Sequence, residues 1–166
     1  MARAGLILVL LAASLAAGCS QMMLSGGGPP TVSRVDRMDL WVAPVALEQN
    51  GQPGPDGVEL RVYLFQSSPG ATQPGLIKAG QFQFFAYEGR LNVGTNAQPF
   101  FQWEYSADQM RPFFGADKYG LGSYHATLSW VPKIPTSTTI TIIARFVDAQ
   151  GRAAVSAPAD VQTRAE

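Results

Sequence analysis

The chain has 166 residues, with 12 basic and 12 acidic side chains that cancel to a formal net charge of zero, and only 14% of its residues are charged. This balance argues against a nucleic-acid-binding protein, which would carry a basic surplus. One cysteine and one histidine are too few for a disulfide framework or for most zinc hydrolase sites.

The N-terminal segment has the pattern of a secretory signal peptide. Arg3 precedes a stretch without charge, GLILVLLAASLAA, at positions 5–17. A basic start followed by about 7–15 apolar residues is typical of a cleaved signal. The stretch is too short for a membrane-spanning helix, which needs about 20 residues. We therefore expect residues 1–18 to be a leader.

The leader ends in Ala16-Ala17-Gly18-Cys19, which places small residues directly before the one cysteine. This motif resembles the lipobox of bacterial lipoproteins; the alternative is an ordinary cleaved signal with an incidental cysteine. The resemblance implies cleavage before Cys19, a diacylglycerol on its thiol and an acyl chain on its new amino group. Two or more acyl chains give stable anchoring. Cys19 is thus the predicted lipidation site, and a membrane the predicted partner.

The residue after the cysteine bears on location. In lipoproteins an Asp at that position favours retention in the inner membrane, whereas this chain has Ser20. The resemblance therefore implies a cell-envelope protein of the outer membrane that faces the periplasm. Without residues 1–18, 11 basic and 12 acidic side chains remain. Electrostatic attraction to anionic lipid would add little to the anchor.

Three segments are expected along the chain: a signal peptide at 1–18, a lipidated cysteine with a flexible tether at 19–31, and a β-sandwich domain at 32–166. The tether assignment depends on Gly26, Gly27 and Gly28, which have no side chain to pack, and on Pro29 and Pro30, which do not continue a helix or a strand ladder.

From residue 32 onward the apolar residues alternate with period two, as in half-buried strands. The clearest case places Val58, Leu60, Val62 and Leu64 on one face of a single run. About seven strands are predicted, at 35–46, 58–66, 81–88, 99–105, 122–131, 138–147 and 152–157. A possible eighth strand lies at 160–163. This number of alternating strands predicts an all-β fold, a two-sheet antiparallel sandwich of the immunoglobulin-like or transthyretin-like kind.

Turn chemistry separates the runs. Residues 50–57 read NGQPGPDG, and Glu88-Gly89-Arg90 forms a second predicted turn. Residues 148–151 read DAQG, which predicts a hairpin with Gly151 at positive φ. Ser106 is a predicted cap for one short helical turn that ends at Met110.

Two family resemblances concern the domain itself. The run from Tyr124 to Trp130, followed by Ile140 to Asp148 and Gly151, resembles bacterial immunoglobulin-like modules. Asn50-Gly51-Gln52-Pro53 followed by Val58 to Leu64 resembles the first strands of the outer-membrane lipoprotein of type VI secretion, which is also a small anchored β-sandwich. The second resemblance implies a component of a secretion apparatus.

Catalytic signals are scarce. His125 is the one imidazole, and it falls on the polar face of its strand, where a solvated or hydrogen-bonded side chain is expected. No serine stands in a G-x-S-x-G elbow, and the acidic residues are scattered. We expect no enzyme activity, no metal and no cofactor.

Two features point to binding. Some runs carry aromatic residues on both faces: Tyr63 and Phe65 oppose Leu60, while Phe85 and Tyr87 oppose Phe82. Such a second face is either covered by a loop and neighbouring strands or used as a contact surface. The other feature is a long connection at 106–121, whose predicted binding residues are Arg111, Phe113, Phe114 and Tyr119. This loop at 110–120 either binds a partner or plugs the core.

These observations favour a lipid-anchored envelope protein that acts as a non-catalytic binding or structural module, with a protein partner in the envelope and no nucleic acid. A secretion component and an enzyme with an unrecognised site are the alternatives.

Overall fold

The computed structural model describes residues 28–48, 54–67, 73–91 and 96–163. The predicted signal peptide, Cys19 with the predicted tether up to residue 27, and residues 50–53 of the second family resemblance lie outside these ranges. In the described part, no helix is long and apolar enough to cross a membrane.

The regular structure of the described chain is mostly β-strand, with one short helix, which confirms the predicted fold class. Eleven strands occur in chain order: β1 (Thr31–Val32), β2 (Arg37–Val42), β3 (Gly57–Phe65), β4 (Leu76–Ile77), β5 (Gln81–Glu88), β6 (Phe101–Ser106), β7 (Phe114–Ala116), β8 (Gly122–Ser129), β9 (Thr139–Val147), β10 (Ala153–Val155) and β11 (Ala159–Gln162). One helix, α1 (Ala107–Met110), and a 3₁₀ turn, Arg111–Phe113, separate β6 from β7.

The strands form two antiparallel sheets that pack face to face. The first sheet has the order β2-β3-β8-β7, and the second has the order β10-β9-β5-β6. β11 also pairs with β9, so β10 and β11 run along successive parts of the same strand. β1 and β4 add a small parallel pair. The prediction of about seven strands therefore missed the short β1, β4 and β7.

The core lies between the sheets and consists of the inward positions of each alternating strand. β3 and β8 contribute one layer: Val58, Leu60, Val62, Leu64, Tyr124, Ala126 and Leu128, with Trp130 just beyond β8. β5 and β9 contribute the facing layer: Phe82, Phe84, Ala86, Ile140, Ile142, Ala144 and Phe146. Each large apolar side chain buried here stabilises the fold by about 1.5–3 kcal/mol. The period-two pattern of the sequence is thus the pattern of the core.

Both sides of the sandwich are closed by the chain itself. After β2 the backbone crosses to the second sheet, where Val45 pairs with Gln162 and the Ala46 N–H donates to the Gln162 carbonyl at 2.8 Å. On the opposite side the Trp103 indole N–H donates to the Ser129 carbonyl at 2.8 Å, linking β6 to the end of β8. These links hold the two sheets in a fixed relation.

The predicted turns and the helix cap are present where they are described. Gly151 has φ of 78°, and its N–H donates to the Asp148 carbonyl at 3.0 Å, as the hairpin prediction requires. Ser106 caps α1 and receives a hydrogen bond from the Gln109 N–H. The Ser106 N–H in turn donates to Gln109 Oε1, which completes a capping box.

The prediction of a loop through 110–120 was wrong for its first half. Residues 111–113 form the 3₁₀ turn and 114–116 form β7, which pairs with β8. The short helix leaves the edge of the second sheet and delivers the chain to the edge of the first sheet, so pairing with β8 imposes extended backbone on Phe114–Ala116. Only the turn around Asp117–Leu121 remains irregular.

Candidate binding site

The outward positions of the first sheet carry an unusual set of side chains for a solvent-facing surface. Strand register places Trp41 beside Arg61, and Arg61 beside His125, in one row across β2, β3 and β8. The next row along β2 and β3 pairs Asp39 with Tyr63, and the following row pairs Arg37 with Phe65. Aromatic rings therefore alternate with charged groups across this face.

Two arginines lie over two of these rings. The guanidinium carbon of Arg37 is 3.9 Å from the centroid of the Phe65 ring, and that of Arg61 is 4.9 Å from the centroid of the Trp41 ring. Guanidinium stacking on an aromatic face contributes about 0.5–1 kcal/mol at exposed sites and holds the side chain in one orientation. The Nε of Arg37 lies 3.3 Å from Asp39 Oδ1, whereas the Nε of Arg61 has no hydrogen-bond partner in the described residues.

The turn between β7 and β8 is fastened to this face by Asp117. The Tyr63 hydroxyl donates to Asp117 Oδ2 at 3.0 Å, while the N–H groups of Tyr119 and Leu121 donate to Oδ1 at 2.8 and 2.9 Å. The turn thus covers part of Tyr63, as one of the two sequence interpretations expected. It also places Leu121 at the edge of the remaining open surface.

Titration behaviour follows from these contacts. Burial raises the pKa of Asp117, but the N–H donors of Leu121 and Tyr119, the Tyr63 hydroxyl and the charge of Arg61 outweigh it, so the net pKa is lowered. Burial also raises the pKa of Tyr63, with a further rise from its bond to the Asp117 carboxylate. At neutral pH the carboxylate is therefore ionised and the phenol protonated, which is the state that fastens the turn.

Between these elements lies a groove of about 220 Å³. Its walls are mostly apolar and come from Leu40, Trp41, Tyr63, Phe65 and Leu121, with Asp39 at the side. Trp41 is 44% exposed, although tryptophan is among the residues most favoured for burial. An open apolar groove flanked by two fixed arginines has the composition of a protein contact site.

The four predicted binding residues of the connection have different environments. The Phe114 ring packs edge-on against the core residue Tyr124 at a centroid distance of 5.0 Å, so it plugs the core. Phe113 is 49% exposed and Tyr119 is 74% exposed. Arg111 is exposed and forms an ion pair with Asp108. Of the four, Tyr119 lies in the turn that borders the groove through Leu121.

His125 is hydrogen-bonded, as its position on the polar face indicated. Its Nε2 lies 2.7 Å from Ser123 Oγ. Ser123 is fully buried, so its hydroxyl has no path to a substrate. In the described residues no carboxylate bonds to the imidazole, and no group of three or more potential metal ligands occurs. The pair joins neighbouring positions of β8 and is not arranged for nucleophilic catalysis.

The outer face of the second sheet is more polar. The Glu104 carboxylate accepts hydrogen bonds from the side-chain amides of Gln81, Gln83 and Gln102. Phe85 is half-buried, with Gln102 and Ile143 at its two neighbouring register positions. Here the second aromatic face is covered by cross-strand packing.

A larger cavity, of about 570 Å³, lies at the end of the sandwich between β1, the end of β4 and the 148–151 hairpin. Its carboxylate, Asp148, already accepts hydrogen bonds from the N–H groups of Gln150 and Arg152 and from the Arg152 guanidinium. Because the hairpin itself uses this group, the cavity offers less for recognition than the groove.

Sequence reasoning missed Trp41, which lines the groove, and the two residues that contact its lining, Arg61 and Asp117. One signal was available for the first, because Trp41 occupies the polar phase of β2, between Leu40 and Val42. The contribution of Asp117 depends on a contact with Tyr63 across 54 residues of chain, which no local pattern reveals.

No protein-family model matches the chain, and no curated protein matches it. Function is therefore inferred from the residues and their geometry.

Proposed function

We propose that the protein is a lipid-anchored, non-catalytic binding module of the cell envelope, attached through Cys19 and engaging a protein partner through the outer face of its first sheet. The observation that carries the binding half is the groove between Trp41, Phe65 and Leu121, an open apolar surface on the outer face of the first sheet. The anchoring half is supported by the lipobox-like sequence Ala16-Ala17-Gly18-Cys19.

Contacts within the face support binding through a preformed surface. Phe65 and Trp41 each contact an arginine, and the Leu121 N–H donates to Asp117. Residues that are already ordered lose little conformational entropy when a partner docks. The groove is thus suited to recognition without rearrangement of the sheet.

The anchor is tested by Cys19→Ala in a host that processes lipoproteins. Loss of the thiol removes the attachment point for the diacylglycerol, so we expect no incorporation of labelled palmitate and a shift from the membrane to the soluble fraction. Ser20→Asp is the matched variant. It should keep the label and move the protein from the outer to the inner membrane. Retained label or unchanged membrane partition in Cys19→Ala would contradict the anchor.

A further inference from the structure

We propose that the groove binds an extended segment of a partner protein in which a large apolar side chain is followed by a carboxylate. The apolar side chain enters between Trp41 and Leu121, and the carboxylate accepts hydrogen bonds from Arg61. This inference names the ligand chemistry of the binding module and therefore rests on the proposed function.

The size of the groove points to a side chain of a larger partner. Pockets for drug-sized molecules occupy about 300–1,000 Å³, whereas this groove has about 220 Å³. It accommodates one large side chain while the rest of the partner stays outside. Anchoring of a partner by one buried aromatic or aliphatic group is the usual arrangement at protein interfaces.

The lining favours an apolar group over a sugar. Leu40, Phe65 and Leu121 offer no hydrogen bonds from their side chains. The Tyr63 hydroxyl is already committed to Asp117, and the Asp39 carboxylate at the side is paired with Arg37. Each sugar hydroxyl placed against such walls without a partner would cost about 1–3 kcal/mol. An aromatic or aliphatic side chain loses no hydrogen bonds there and stacks on the Trp41 ring.

Arg61 is the residue that would bind the carboxylate of the partner. Its Nε is buried and has no hydrogen-bond partner within the described part of the chain. The Glu59 Oε1 lies 3.7 Å from Nη2, beyond hydrogen-bond distance, and Asp117 is affected by the charge of Arg61 without a hydrogen bond to it. The guanidinium lies over the ring of Trp41, which lines the groove, and the Arg61 side chain is 26% exposed, so its outer part is open beside the groove. A carboxylate is the acceptor that matches this planar set of donors.

Arg37 provides the internal comparison. It stacks on Phe65 in the same manner, but its Nε already lies 3.3 Å from Asp39 Oδ1. Its charge is therefore matched by a neighbour on its own strand. Of the two arginines that flank the groove, Arg61 has the larger unmet hydrogen-bonding capacity.

The three tryptophans allow a direct test on the full chain in detergent micelles. Labelled with 5-fluorotryptophan, the protein should give separate fluorine signals for the exposed Trp41 and for the buried Trp103 and Trp130. The Trp41 signal is assigned with Trp41→Phe, and its accessibility is checked with a soluble paramagnetic agent. The probes are the capped peptides acetyl-Gly-Phe-Asp-Gly-amide, its Asn counterpart and its Ala-Asp counterpart.

We expect the Phe-Asp peptide to shift the Trp41 signal and to leave the other two unchanged. The Asn peptide should bind about tenfold more weakly, since it lacks the charge-assisted bond. The Ala-Asp peptide should cause no shift. Arg61→Gln should abolish the preference for Asp over Asn, whereas Arg37→Gln should retain it. Unchanged Trp103 and Trp130 signals report that each variant is folded.

Several results would overturn this assignment. Equal binding of the Asp and Asn peptides would remove the role of Arg61. A Trp41 signal shielded from the paramagnetic agent would show that the groove is not open, and a shift caused only by an N-acetylglucosamine oligomer would replace the peptide with a sugar. Because the titration is performed in micelles, a failure of the Cys19 anchor leaves its outcome unchanged, so the two proposals fail separately.

Discussion

Tyr124 shows how a single polar atom is accommodated in this core. The ring is fully buried between Phe82 and Phe114, with centroid distances of 4.9 and 5.0 Å, and its hydroxyl accepts a hydrogen bond from the Ile77 N–H at 2.8 Å. Burial raises the pKa of Tyr124 to about 12, against a smaller lowering by the Ile77 N–H and the charge of Arg111. The hydroxyl thus connects β8 to the small β1–β4 pair.

Tyr124→Phe is predicted to lower the free energy of unfolding at neutral pH by about 1–3 kcal/mol, because the buried Ile77 N–H loses its acceptor. Denaturant titration measures this loss. Tyr119→Phe removes a hydroxyl from a ring that is 74% exposed, and as the control it should change stability by less than about 0.5 kcal/mol. Equal effects of the two changes would contradict the role assigned to the Tyr124 hydroxyl.

The same variant has a distinct alkaline signature. A phenol with an ordinary pKa of 10.0 in the unfolded chain titrates at about 12 in the folded domain. Above pH 10 the unfolded state therefore loses its proton first, and stability should fall as the pH rises toward 12. Tyr124→Phe lacks this contribution, so its decline should be shallower. Part of the decline remains, since the pKa values of Tyr63 and Tyr105 are also raised by burial.

At the scale of the elements, the sequence predicted those strands that are long enough to show an alternation of apolar and polar residues. The bounds 81–88 of β5 were predicted correctly, and β3, β8 and β9 differ from their predictions by one or two residues at either end. The reason is physical: one buried face imposes period two on a whole strand. β1 and β4 have two residues each, too few to show any period. Their pairing arises from contacts more than 40 positions apart.

The groove was less accessible to sequence analysis than the strands. Tyr63 and Phe65 were recognised as a second aromatic face, but whether that face is covered depends on which segment packs over it. The answer comes from Asp117 and Leu121, which β7–β8 pairing carries to Tyr63. Tertiary contacts of this kind leave no periodic trace. The sequence alone therefore placed the binding residues on the connection and missed Trp41.

Gly80, which directly precedes β5, is a position where the packing against β9 requires a glycine. It has φ of 128°, and a Cβ there would collide with the Phe146 ring and lie 2.7 Å from the Val147 carbonyl oxygen. Gly151 also has positive φ, at 78°, but has no atom within 4 Å of a Cβ. The two glycines share a positive φ, and they differ in the space available for a Cβ.

Substitution separates these two costs. Gly151→Ala should lower the free energy of unfolding by about 1–2 kcal/mol, the cost of a left-handed alanine. Gly80→Ala should lower it by about 2–5 kcal/mol, because overpacking against Phe146 is added to the strain. Thermal unfolding of the two variants side by side measures the difference. Similar losses in both would show that the Phe146 contact yields without cost.

On the scale of the whole molecule, the proposed role has two parts, a lipid anchor at the N-terminal side and a binding face on the sandwich. The anchor is assigned to Cys19 in a chain whose basic and acidic side chains cancel, so lipid and not charge would hold it on the membrane. The sandwich is closed on both sides by its own chain, which leaves the outer face of the first sheet as the surface best equipped to bind. The charge balance that argued against nucleic acid thus agrees with an apolar mode of recognition.

The central claim, that the domain works by binding through this face, is tested most directly by site-specific photo-crosslinking of the full chain in its native host. A photoreactive residue replaces Tyr119 beside the groove or, as the matched control, Val155, which is 57% exposed on the other sheet. We predict a discrete protein adduct from position 119, which Trp41→Ala should remove, and no adduct from position 155. A secretion-apparatus subunit in the adduct would support the secretion alternative. Equal adducts from both positions, or an adduct at 119 that survives Trp41→Ala, would contradict the account.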